Sequence, residues 1–260
     1  MSRLAVPRLA VPRLALAPLA ACLLALAAAV GACGGDEDAA ADPTPTPDEG
    51  DAAPAPPDSA PVDAGPPVDA GPSCQPVTFP SGVTFKTKPD EALTAQYAPI
   101  AEAPNYPLPV CFIDTDDLVD PKTGKTYDVN VDVGKYFTLF ELVGTSLKYT
   151  KRVLLSPVLV AKLDRYREAL NASTNITSGY RSPAHQRAVC QDMCGQDYCP
   201  GTCAQRSRHS WGDAADHGVY PTKKYSDAGC AADFNYVFRE GNHVHLDLNP
   251  EHAICTVDVL

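Results

Sequence analysis

Two stretches near the C-terminus decide how this chain is read: Ser207-Arg208-His209-Ser210-Trp211-Gly212-Asp213-Ala214-Ala215-Asp216, and His243-Val244-His245-Leu246-Asp247. The first sets an imidazole and a carboxylate seven positions apart, and the second sets two imidazoles two positions apart. Together they can give two nitrogens and one oxygen to a single metal ion. Three protein ligands with one position left open is the pattern of catalytic zinc, whereas structural zinc is closed by four. His209, Asp216 and His245 are the candidate ligands. Gly212 allows a tight backbone path between the first two, and Ala214 and Ala215 are small enough for a strand packed close to the site.

Working outward, 243–248 reads as the final strand. Period-two alternation sets His243, His245 and Asp247 on one face and Val244, Leu246 and Leu248 on the other. The apolar face packs inward and the polar face looks into a cleft. Asp247 is either a carboxylate that orients a ligand from behind or a strand-end surface residue.

Upstream, Ser156-Pro157 opens a helix, since Ser caps well and Pro suits the first turn. Leu159, Leu163, Tyr166 and Leu170 share its apolar face, and Asn171 stops it. Asn175–Ser178 follows as a short strand. Ser182-Pro183 opens a second helix through about Ala188 or Cys190, so Arg181 lies between a strand end and a helix start. Such junctions often carry functional side chains. Residues 190–206 read as a cysteine-rich loop. The segment 74–133 reads as strands and turns, with a turn at Pro121–Lys125 and a β-like run at Thr126–Val131. No chemistry is assigned to it.

The N-terminus reads as targeting sequence. Arg3, Arg8 and Arg13 precede an apolar run from about Leu14 to Val30, which ends in Val30-Gly31-Ala32-Cys33. Residues 1–32 are expected to be a lipoprotein-type signal peptide, because small residues before Cys33 resemble a bacterial lipobox in which that cysteine becomes the lipidated N-terminus. Residues 33–73 form an Asp/Pro-rich linker, in which Pro-Val-Asp-Ala-Gly-Pro occurs twice. The linker has no apolar periodicity to build a core and is expected to be disordered. An exported cell-envelope lipoprotein follows, held at the outer membrane or facing the periplasm through lipid on Cys33.

This division relocates the charge. The formal net charge of the whole chain is −11, but the linker alone holds ten Asp/Glu and no Lys or Arg. The remaining domain is only mildly acidic and has no basic stripe, which argues against a nucleic-acid partner. Residues 74–133 extend the folded domain at its N-terminus, and 134–260 carry the candidate site. This region holds Cys74, Cys111, Cys190, Cys194, Cys199, Cys203, Cys230 and Cys255. An even set in an exported chain points to disulfides, with connectivity undetermined. A four-cysteine zinc site at 190–203 is the alternative for the middle four.

Ser207-x-His209-x2-Gly212-x-Ala214-x-Asp216, His243-x-His245 and Ser178-Gly179-Tyr180-Arg181-Ser182-Pro183 together resemble the zinc D-Ala-D-Ala metallopeptidase family. It comprises D,D-carboxypeptidases, vancomycin-resistance dipeptidases, phage L-Ala-D-Glu endolysins and murein endopeptidases, and the Hedgehog signalling domain shares its fold. Phe137–Leu142 is similar to a segment of the murein-endopeptidase branch. The likeness covers about 135–250. It implies an α+β fold, a small antiparallel sheet carrying the zinc ligands and flanked by helices; the cysteine-rich stretch 190–206 lies outside the likeness and reads as a disulfide-rich insertion. It implies zinc held by His209, Asp216 and His245, water activated for attack on a peptide carbonyl, and Arg181 binding substrate and stabilising the oxyanion. Many members carry Glu or Asp three residues before the last ligand, where this chain has Asn242. Others use a His two residues before it, which points to His243 as the catalytic group, with Glu240 as a fallback. His185 and His217 read as structural or exposed. The expected activity is hydrolysis of peptidoglycan stem peptides or cross-links, as a D,D-carboxypeptidase or murein endopeptidase. The alternative is a catalytically inactive zinc-containing cell-wall binding module.

Overall fold

Four helix starts in this chain are set by side chains that accept free backbone N–H groups of the first turn. A computed structural model describes residues 73–260. The expected signal peptide, Cys33 and nearly all of the linker lie outside the described residues. Three short strands come first, β1 (Val77–Thr78), β2 (Thr84–Phe85) and β3 (Thr87–Pro89), followed by helix α1 (Glu91–Tyr97). Asp90 caps α1 by accepting from the Leu93 N–H. Then come β4 (Cys111–Asp114), α2 (Leu139–Val143) and β5 (Arg152–Val153). Thr138 and Glu141 form a reciprocal capping box at the start of α2.

The long helix α3 (Pro157–Leu170) is capped by Ser156 and ends at Asn171, whose φ of 48° is left-handed. Both boundaries match the expectation. After β6 (Ile176–Ser178) comes α4 (Pro183–Cys194), capped by Ser182. It runs past Cys190, so the cysteine-rich segment begins inside a helix and becomes a loop only at Gly195. The chain closes with β7 (Ala214–Gly218), α5 (Lys223–Ala231), β8 (Tyr236–Glu240), β9 (His243–Asp247) and β10 (Thr256–Val259).

The fold is α+β, with helices packed on small, largely antiparallel sheets. The sheet that matters for function has the order β10-β8-β9-β7-β6. All its pairings are antiparallel except β10 with β8, which is parallel. Three expectations are therefore corrected. The strand at 243–247 is not the last, because the chain continues into β10 as an edge strand. Thr126–Val131 is not a strand: only Thr126 makes a bridge, to Val119, and Asp120 and Asp128 accept local backbone N–H groups that a ladder would otherwise take. The segment 74–133 holds a helix, α1, where only strands and turns were expected.

One face of this sheet is apolar. Ala215, Val237, Val244 and Leu246 share a core with Leu159, Leu163 and Tyr166 of α3. Phe79, Phe85, Ile113 and Val133 belong to the same core, so the N-terminal extension is built into it. Asp164 fastens that connection: its buried carboxylate accepts from the N–H groups of Lys135 and Tyr136 at 2.8 and 3.1 Å. The extension is also stapled by Cys74–Cys111. The other disulfides are Cys190–Cys203, Cys194–Cys199 and Cys230–Cys255. The middle four cysteines thus pair as two disulfides, which excludes the four-thiolate zinc site.

Asp164→Ala is expected to strand two part-buried backbone donors, of Lys135 and Tyr136. It should lower the unfolding free energy by about 1–3 kcal/mol or more. Urea denaturation of the variant against the parent measures this, and an unchanged midpoint would refute the role given to Asp164.

Candidate metal centre

The polar face of the sheet carries the site, and register determines it. Asp216 of β7 pairs with His245 of β9, which pairs in turn with Phe238 of β8. Asp216 and His245 are therefore direct neighbours on one face. A one-residue slip of either strand would turn its member of the pair into the apolar core.

His209 comes from a single 3-10 turn, Arg208–Trp211, ahead of β7. Gly212 ends the turn with φ 70°, and a Cβ there would sit 2.4 Å from the Leu154 carbonyl oxygen. Only glycine meets both conditions. The turn is held from outside as well. The buried Tyr97 hydroxyl, from α1, donates to the Ser210 carbonyl at 2.6 Å and lies 3.0 Å from the Tyr180 hydroxyl. The Arg181 N–H donates to the His209 carbonyl at 3.1 Å. Gly179 is equally constrained, since a Cβ would lie 2.2 Å from the Leu142 carbonyl oxygen.

The three expected ligands meet: one ligand atom from each of His209, Asp216 and His245 lies within 4.8 Å of the others. Their hydrogen bonds fix which atoms face inward. His209 Nδ1 donates to the Gly179 carbonyl at 2.6 Å, which leaves Nε2 3.1 Å from Asp216 Oδ1. His245 Nε2 lies 3.1 Å from Asp247 Oδ2, which leaves Nδ1 2.9 Å from the same Asp216 oxygen. With neutral rings, three lone pairs point at one place. That arrangement is repulsive unless a cation sits among them, so this trio could hold a metal ion. Asp247 is buried behind His245 and orients it, which resolves its two readings in favour of the positioning one.

In the metal-free protein the same carboxylates favour a proton on His245. Burial disfavours charge on His245, but hydrogen bonds to Asp216 and Asp247 outweigh it and push its pKa up to about 10. Burial, reinforced by Arg181, pushes His209 down to about 4. Burial alone would raise the Asp216 carboxyl, yet His209, His245 and Arg181 hold it well below the usual carboxylate range.

Arg181 lies beside the ligands, its guanidinium NH2 2.5 Å from Asp216 Oδ2 and its Nε donating to Ser178 Oγ at 2.7 Å. It also lines a cleft of about 360 Å³ shared with His209, Asp216, His243 and His245. His243 Nε2 is 3.8 Å from Asp216 Oδ1 and 3.4 Å from Glu240 Oε2. His185 and His217 stand apart and are structural. His185 is buried against Ser146 and stacked on Tyr149, and His217 bonds the Tyr166 hydroxyl.

Sequence reasoning missed several contributors. Gln186 contacts Arg181 NH1 at 3.5 Å, and Tyr236, stacked on His252 at 4.3 Å, forms an aromatic part of the cleft wall. Tyr106, from the extension to which no chemistry was assigned, also lines the cleft. A seven-residue helix with two buried residues, Leu93 and Tyr97, gave no periodic signal for the support beneath His209. No family model matches the chain, and no curated protein matches it.

Two outcomes are expected. Metal binding at pH 7 should release about one proton, since His245 must lose the one it holds. Apparent affinity should therefore rise about tenfold per pH unit below the His245 pKa. Calorimetry in buffers of different ionisation enthalpy measures that proton, and its absence would contradict the raised pKa of His245. Asp247→Asn should weaken metal affinity by about 10–100-fold, measured by competition with a chromophoric chelator.

Proposed function

We propose that this chain is an exported zinc-dependent peptidase that hydrolyses peptide bonds in peptidoglycan stem peptides or their cross-links, held at the cell envelope by lipid on Cys33. The observation carrying this reading is the convergence of His209 Nε2, Asp216 Oδ1 and His245 Nδ1 beside a cleft that Arg181 and His243 also line. Two imidazoles and one carboxylate are a catalytic-zinc donor set. Zinc bound there would supply a Lewis acid that acidifies water and polarises the carbonyl of the scissile bond.

The chain's own residues supply the rest. Asn242 cannot take a proton, but its Oδ1 lies 3.0 Å from His243 Nδ1. Accepting from Nδ1–H, it leaves Nε2 free to receive a proton from the attacking water. Glu240, 3.4 Å from that nitrogen, then stabilises the imidazolium and so takes a supporting role. Arg181 is charge-balanced by Asp216. It offers directional N–H donors to the oxygen on which negative charge develops, and the long 3.5 Å contact of NH1 with Gln186 leaves donor capacity for this.

A second reading, a zinc-containing cell-wall binding module without turnover, is favoured by Asn242 standing where many members of the resembled metallopeptidase family carry an acid. The deciding experiment incubates the zinc-loaded full chain in detergent with cross-linked muropeptides and reads products by mass spectrometry. A zinc-dependent mass change is expected, abolished by Asp216→Ala. His243→Ala should lower kcat by about 10²–10⁴-fold while retaining zinc. Bound zinc with no cleavage of D,D or L,D bonds would give the second reading the weight.

A further inference from the structure

Charge is divided across the cleft. Its arginines, Arg181, Arg206 and Arg208, all come from the segments that run between β6 and β7. The opposite wall is the face of β8, with β10 beyond it. Strand alternation sets Tyr236, Phe238 and Glu240 on that face, and all three line the cleft. Arg239 projects from the other face, the one that carries Val237 into the core. Phe238 holds the centre of the wall. Its register partners are His245 on β9 and Asp258 on β10, and Glu240 stands two residues along its own strand. Asp258 shares the cleft face, because the Tyr236 hydroxyl donates to its Oδ2 at 2.8 Å.

A half-buried aromatic ring thus has a carboxylate on two sides. Asp258 is exposed, and neither it nor Glu240 pairs with a Lys or Arg among the described residues. His252 covers a face of Tyr236, so Phe238 is the ring left to a ligand. A ring face attracts a cation through its quadrupole, and flanking carboxylates add to the attraction. An uncharged group gains only the contact with the ring. Distance fits a side chain of the bound peptide. The ligand trio lies over β7 and β9, which puts Phe238 about one and a half strand spacings away, roughly 7 Å. The flexible four-carbon stem of a lysine-type amine spans such a gap. A metal held by the trio lies on the β7 side of His245, whose Nδ1 faces Asp216, and Asp216 and Asp247 counter its charge.

We propose that Phe238, with Asp258 and Glu240 beside it, forms a subsite for a side-chain ammonium, so that the cleft prefers a peptide carrying a long-chain diamino residue near the cleaved bond. This rests on the peptidase reading above and deepens it by naming the side chain that the β8 wall recognises.

The test gives the zinc-loaded full chain, in detergent, lysine-containing muropeptides as monomer and as cross-linked dimer. Each is supplied with its free side-chain amine and after Nε-acetylation. The amine forms are expected to exceed the acetylated forms by about tenfold in kcat/KM. Equal or faster cleavage of the acetylated forms overturns the inference. If no muropeptide is cleaved, the peptidase reading fails, and the inference is judged by calorimetric binding of the two monomers to the same protein. There, tighter binding of the amine supports it, and equal or weaker binding overturns it. Asp258→Asn changes an exposed residue of the edge strand, and Phe238→Leu keeps apolar bulk without a ring. Each should cut the preference for the amine by about 2–5-fold. A preference unaltered in either variant overturns the part given to that residue.

Discussion

A single buried carboxylate, Asp216, organises this molecule. One oxygen faces His209 and His245, and the other is held by Arg181. Burying an ionised carboxylate is tolerable only when its lone pairs are filled, and removing one partner of such a group costs about 3–5 kcal/mol. The surrounding architecture follows from that demand. The β7–β9 register sets His245 opposite Asp216, and Gly212 bends the chain so that His209 reaches back to it. The Gly179 carbonyl orients the His209 ring, and Asp247 orients the His245 ring. Each contact restricts a ring that would otherwise be free to turn, so the three side chains that could hold a metal are already arranged.

Support for this arrangement reaches well beyond the residues that touch it. Tyr97, in the N-terminal extension, bonds the turn that presents His209, and Arg208 of the same turn bonds Asn105 in that extension. The extension is fixed in turn by a shared core, by Asp164 and by Cys74–Cys111. The sequence separation of that disulfide is 37 residues, and in the chain-entropy model a loop of that size contributes about 4 kcal/mol. The segment that carried no visible chemistry is therefore the outer brace of the candidate metal centre and one wall of its cleft.

How much of this was legible follows from the kind of signal each part gives. The α3 helix was readable because its cap, apolar stripe and left-handed stop all lie within the segment itself. The ligand trio was readable because strand alternation is local and the spacing of His209, Asp216 and His245 is distinctive. The α1 helix was hidden because it has two buried residues and is stabilised by tertiary contacts, not by a repeating stripe. Thr126–Val131 alternated like a strand, but aspartates took its neighbourhood's N–H groups and no partner strand was supplied. Disulfide pairing and the role of Asp247 depend on which segments approach in space, and spacing along the chain does not encode that.

The same limit applies to Arg181. Its position between a strand and a helix start marks it only as a place where functional side chains are common, and the resemblance adds a substrate-binding role. In the fold Arg181 shares its charge with Asp216 Oδ2, the carboxylate whose other oxygen faces the metal position. A guanidinium so paired is weak as a counter-ion yet remains strong as a directional donor, because its N–H geometry is rigid while its net field is cancelled nearby. Such a group gives little to a ground-state carboxylate and more to an oxygen that gains charge only during reaction. Binding that grows toward the transition state raises turnover, whereas equal binding of ground and transition states does not. The pairing of Arg181 with Asp216 therefore leaves it a directional donor more than a counter-charge.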